Sequence, residues 1–177
     1  MSACDAHRRE LRDLHPNKKS SECECYDRNS PRARTDPPGM SLVMTKIKLT
    51  NSLDLSDAKR GLITPDSIRS VEIEAMVDTG AFGLCIPQEI VDLLGVQAFT
   101  QRPARTADGR TIEVPVVGPL DLEVLGRSML SDAMVLPRGT QALLGAIPLE
   151  YMDLVVIPKT GDVITNPAHP DGPVYRI

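Results

Sequence analysis

The chain reads as a mostly-β, barrel-like domain with one or two short helices. Two observations carry that reading. Short alternating apolar segments of strand length recur between residues 46 and 165, with turn residues between them. Helical spacing is confined to residues 88–95 and 148–153. There is no internal repeat, and 177 residues suit one domain with a tail and a sizeable core.

Residues 1–40 differ in kind from the rest. They hold no Val, Ile or Phe, but eight Lys or Arg, seven Asp or Glu and four Pro. With so little to bury, the segment cannot offset its ordering entropy and is expected to be a disordered polar leader. Met40 and Met44 are alternative start residues, which would make the leader an artefact of gene calling. Cys4, Cys23 and Cys25 with His7 and His15 raise the question of zinc. Cys23-Glu24-Cys25 lacks the spacing of a structural zinc pair, so no metal and no cofactor are expected. The fourth cysteine, Cys85, follows Leu84 and reads as a buried, reduced thiol.

The folded part is expected over residues 41–167, with an irregular tail over 168–177. Residues 46–50 alternate as a strand. Residues 51–66, polar and turn-rich, read as a long connection. Val71, Ile73, Ala75 and Val77 then face one way in a strand over 69–77, with Glu72 and Glu74 opposite. The two strands form an antiparallel pair that delivers Asp78 to its end. Residues 82–87 form a further strand, and residues 88–94 a helix with Ile90, Leu93 and Leu94 on one face and Gly95 as its stop. A second hairpin follows: residues 105–107 lead in, Asp108-Gly109 makes the turn, and 110–116 lead out. Strands over 120–125 and 128–137 come next, then Ala142-Leu143-Leu144-Gly145. A helix over 148–153 with Pro148 in its first turn and a hairpin over 154–165 complete the fold.

The segment Met76-Val77-Asp78-Thr79-Gly80-Ala81, followed much later by Leu143-Leu144-Gly145, resembles the retroviral-type (clan AA, retropepsin-like) single-lobed aspartic proteases. Their active-site loop reads Asp-Thr/Ser-Gly-Ala, and an apolar-apolar-Gly motif packs behind it. The triplet alone would also suit a β-turn with Asp as cap and Gly at positive φ. Its place at a strand end, the following Ala, the intervening hairpin and the later motif all favour the resemblance. That resemblance implies a retropepsin-like acid-protease barrel with one lobe per chain. Asp78 would be the catalytic residue, and Thr79, Gly80 and Ala81 its loop. Ala107, Asp108 and Gly109 would form the flap over substrate, and Leu143, Leu144 and Gly145 the supporting loop.

Only one such triplet occurs, whereas two carboxylates sharing a proton are needed to activate water. The expected assembly is therefore a homodimer with one Asp78 from each chain. Ile47, Leu49, Val163 and Ile164 are candidate interface residues by the same analogy. The expected activity is cleavage of a polypeptide substrate. The alternative is a non-catalytic dimeric peptide-binding or scaffold module on the same fold. A net charge of −4, three Tyr, two Phe and no Trp argue against nucleic acid as a partner. No apolar run spans a membrane and no secretory signal is seen, so a cytoplasmic setting is expected.

Overall fold

The computed structural model describes residues 42–106 and 109–175, so the expected leader lies outside the described residues. Strands β1 (Met44–Asn51) and β2 (Ser70–Val77) pair antiparallel, with Lys46 opposite Glu74 and Lys48 opposite Glu72. Because side chains alternate, the other face of this ladder turns Ile47, Leu49 and Ala75 into the core.

The expected long connection instead contains helix α1 (Ser52–Lys59) and a 3-10 turn (Pro65–Ser67). Its helix buries only Asp54, so there is no apolar stripe for periodicity to detect. Polar contacts hold it in place. The side-chain oxygen of Asn51 accepts the N–H groups of Leu53 and Asp54 at 2.9 and 3.4 Å, and its amide donates to the Leu94 carbonyl at 3.1 Å. The Arg69 guanidinium grips the Asp54 carboxylate with Nε at 2.8 Å and Nη2 at 2.7 Å, and the Arg69 N–H adds a bond at 3.0 Å.

Strand β3 (Leu84–Pro87) enters helix α2 (Gln88–Leu94), which Gly95 ends in the left-handed region at φ 59°. The helix buries Ile90, Val91 and Leu94, whereas Leu93, expected inside, is 63% exposed. Strand β4 (Gln97–Arg105) is longer than the expected lead-in, and strand β5 (Thr111–Val124) merges the two strands expected over 110–116 and 120–125. Then come β6 (Arg127–Leu136), β7 (Ala142–Leu144), α3 (Ala146–Tyr151), β8 (Leu154–Ile157) and β9 (Asp162–Thr165).

The pairing order β1-β2-β7-β3-β6-β5 returns to β1 and closes a six-stranded barrel, with β4 added outside β5. Residues 111–115 of β5 pair with β4 alone, so the β4–β5 hairpin extends from this ring as a two-stranded arm. The core gathers Leu84, Ile86, Leu94, Leu120, Leu122 and Leu144. Ile47 and Leu49, 1% and 0% exposed, are also core residues of their own chain, so they are not free to form the interface suggested from sequence.

Strands β8 and β9 pair only with each other. Arg127, itself buried, ties them down by donating to the Met152 and Asp153 carbonyls, both at 2.7 Å, and to that of His169. The Asp153 carboxylate in turn accepts Asn166 Nδ2 at 2.8 Å and meets His169 Nδ1 at 2.6 Å. Residues 166–175 are thus irregular but pinned.

Candidate active site

Asp78 follows the last residue of β2 and is anchored from both sides. The Val77 N–H donates to the Val43 carbonyl at 2.8 Å, and the Asp78 N–H donates to the Leu144 carbonyl at 3.1 Å. Within the loop, the Gly80 N–H donates to Asp78 Oδ1 at 2.9 Å and the Ala81 N–H to the Asp78 carbonyl at 3.0 Å. Gly80 is not among the glycines at positive φ. A Cβ there would stand 3.1 Å from Asp78 Oδ1, so this glycine serves close approach to the carboxylate rather than a left-handed turn. Asp78 and Ala81 are half-buried, while Thr79 and Gly80 are exposed.

The later motif lies directly against this loop. Strand β7 runs parallel to β2, with Met76 opposite Leu143 and Val77 opposite Leu144, and antiparallel to β3. Leu144 is fully buried and Leu143 half-buried. Three consecutive N–H groups then strap the two loops together: Gly145 to the Gly83 carbonyl at 3.1 Å, Ala146 to Ala81 at 2.9 Å, and Ile147 to Phe82 at 3.0 Å. A Cβ on Gly145 would fall 2.5 Å from the Gly83 oxygen and 2.6 Å from the Ala81 oxygen, so no other residue fits unchanged.

At the arm's end, the Thr106 N–H donates to the Arg110 carbonyl and the Gly109 N–H to the Thr106 carbonyl, both at 2.8 Å. Gly109 takes φ 84°, as a tight hairpin turn requires. Ala107 and Asp108, the other expected flap residues, lie outside the described residues. Nearer the barrel, Arg102 Nη2 meets Asp132 Oδ2 at 3.1 Å and joins the arm to β6.

Cys85 is buried on β3, and burial pushes its thiol up to about 11, with the nearby Asp78 charge adding to the effect. It is a protonated packing residue, not a nucleophile. Among the described residues no cluster of three or more His, Cys, Asp or Glu is placed to hold a metal ion, and no helix is long and apolar enough to cross a membrane.

One feature of the site was missed in the sequence. Beside the loop opens a cleft of about 540 Å³, whose lining includes Phe82, Phe99, Leu130 and Ile147. The available signal was the placing of one of only two Phe residues directly after Ala81.

Residues 65–147 match the family model described as aspartyl protease, a stretch that contains the Asp78 loop, the arm and the Leu143-Leu144-Gly145 strap. A comparison with curated proteins returns no match. Residues 65–147 are thus aspartyl-protease-like in sequence, and the closed six-stranded ring, to which β1 outside that stretch contributes, is consistent with a retropepsin-like, single-lobed barrel.

Proposed function

We propose that the protein is an aspartic endopeptidase acting as a homodimer, with Asp78 of each chain contributing one carboxylate. The observation that carries this reading is the carboxylate held by the Gly80 N–H on a loop strapped to Gly145, Ala146 and Ile147. Among the described residues that N–H is the carboxylate's only hydrogen-bond donor. The rest of its bonding capacity is left for a water or a second carboxylate.

With one proton shared by the two Asp78 side chains, the ionised one takes a proton from water as it adds to the scissile carbonyl. The protonated one hydrogen-bonds the carbonyl oxygen. Collapse of the tetrahedral intermediate breaks the C–N bond, and the amine leaves with a proton returned from the pair. Exposed Thr79 would bond across the two-fold axis, and the arm would close over an extended substrate that pairs as an added strand. A cytoplasmic setting is part of the proposal, and the free thiol of Cys85 suits it.

The test is cleavage of a peptide library at several pH values by the wild type and by Asp78→Asn. Asp78→Asn should reduce cleavage at least about 10³-fold, and wild-type activity should fall faster than linearly on dilution. Full activity in a strict monomer, or in Asp78→Asn, would overturn the reading.

A further inference from the structure

The backbone bonds that hold Val77 and the Asp78 loop come from within residues 65–147, with one exception among the described residues. Leu144, Gly145, Ala146 and Ile147 all lie in that stretch, but the carbonyl that accepts the Val77 N–H at 2.8 Å belongs to Val43. Val43 precedes β1 and lies outside the family match, so the match assigns it no role.

Its placement follows from the β1–β2 ladder. Met44 stands opposite Met76, so the register continued by one residue sets Val43 opposite Val77. Side chains alternate along a strand, which puts Val43 on the inward face with Thr45, Ile47 and Leu49. All four are buried, Val43 at 8% exposure, whereas Leu42 one residue earlier is 71% exposed. Val77 is half-buried and packs against the same core. Cross-strand neighbours on one face touch, so Val43 holds Val77 twice, by its carbonyl and by its side chain. On its other side Val77 stands opposite Leu144 of β7, whose carbonyl accepts the Asp78 N–H. The strand that delivers the carboxylate is thus clamped between β7 and Val43. Without Val43, the last residue before Asp78 would keep one neighbour of two.

We propose that Val43 is a positioning residue for the Asp78 carboxylate, acting through Val77. The proposal rests on the endopeptidase reading for its effect on cleavage. Two carboxylates from two chains must share one proton, and a displacement of about 1 Å in such a constellation can lower the rate by about a hundredfold. Loss of the Val43 side chain loosens the strand end from which Asp78 departs, and a homodimer suffers that error twice. A consequence concerns the two internal methionines. A product initiated at Met44 would lack both contacts, whereas one initiated at Met40 would keep them.

The experiment compares wild type, Val43→Ala, Val43→Ile and a control of equal burial, Val96→Ala, since Val96 is also 8% exposed. Each is made as the full chain. Peptide cleavage gives kcat and KM, thermal unfolding gives stability, and amide hydrogen exchange gives the protection of Val77 and Asp78. The two Ala variants remove the same atoms and should lose similar stability. Only Val43→Ala should lower kcat by at least about fivefold, with KM within about twofold of wild type. Its Val77 and Asp78 amides should exchange at least about tenfold faster relative to those of β5 and β6. Val43→Ile keeps the bulk and should retain at least about half of the wild-type kcat. An equal kcat loss in Val96→Ala, a loss confined to KM, or a Val43→Ile variant as impaired as Val43→Ala would overturn the proposal.

The exchange measurement separates this inference from the reading beneath it. If wild type cleaves nothing, the endopeptidase reading falls, and faster exchange confined to Val77 and Asp78 in Val43→Ala still makes Val43 the anchor of the loop. Cleavage by wild type, with neither exchange nor kcat altered in Val43→Ala, keeps the reading and removes the anchor. Absence of both cleavage and selective exchange removes both.

Discussion

Gly145 crosses the Asp78 loop so closely that the difference between hydrogen and methyl decides whether the loop can sit where it does. The neighbours a methyl would strike are backbone atoms of Gly83 and Ala81, which are themselves bonded to residues 145 and 146 and cannot yield independently. Gly145→Ala should therefore cost about 2–3 kcal/mol, as overpacking of a tight site does. Urea unfolding would measure the loss, and cleavage should fall further than stability because the shifted atoms carry Asp78. A variant with wild-type stability and activity would show that the strap is slack. The contrast with Gly80 is instructive: both glycines stand at close approaches, but one admits a neighbouring loop and the other a carboxylate.

The arm and the helices show which elements a sequence discloses. Strands β1 and β2, the Asp78 loop and the strap announce themselves through alternation and a glycine at each close contact. Helix α1 escapes because Asn51 and the Asp54–Arg69 pair hold it, and polar anchors leave no apolar period. Strand β4 escapes because nearly every residue along it is exposed, so nothing alternates. Leu93 was misplaced because Val91 shares the buried stripe with Ile90 and Leu94. The cleft was legible only in part: Phe82 after Ala81 signals it and the ladder slip at Gly118-Pro119 carries a Gly-Pro mark, but the slip at Phe99, between Ala98 and Thr100, carries none.

At the arm's tip an added Cβ on Gly109 would meet nothing within 4 Å, so only its φ of 84° opposes substitution. Gly109→Val should strain the turn by about 1–2 kcal/mol and lower the melting temperature by only several degrees, so that the barrel still folds. Turnover should drop at least several-fold. Unaltered kinetics in the folded variant would reduce the arm to surface structure.

Across the whole molecule, one contact that acid should weaken is the Asp54–Arg69 pair. Hydrogen bonding from the Arg69 guanidinium holds the Asp54 carboxyl below its ordinary range, against the opposing effect of burial. A carboxyl depressed on folding contributes stability above its unfolded value of about 4, and that contribution is lost as pH falls through the folded value. Asp54→Asn should thus lose about 1–2 kcal/mol at pH 7, an amount limited by the half-exposed Arg69, and less than that at pH 2. Urea midpoints at the two pH values would show it, and an equal deficit at both would deny the ion pair its role.

The three residues of β7 have a consequence for timing. They close the ring between β2 and β3, and Leu144 supplies the carbonyl that anchors Asp78. On a ribosome the Asp78 loop emerges long before that anchor exists, and pairing across such a separation is slow. The Asp78 loop therefore takes shape only after nearly the whole barrel has been made, so under the endopeptidase proposal a nascent chain stays inert toward its neighbours until β7 has emerged.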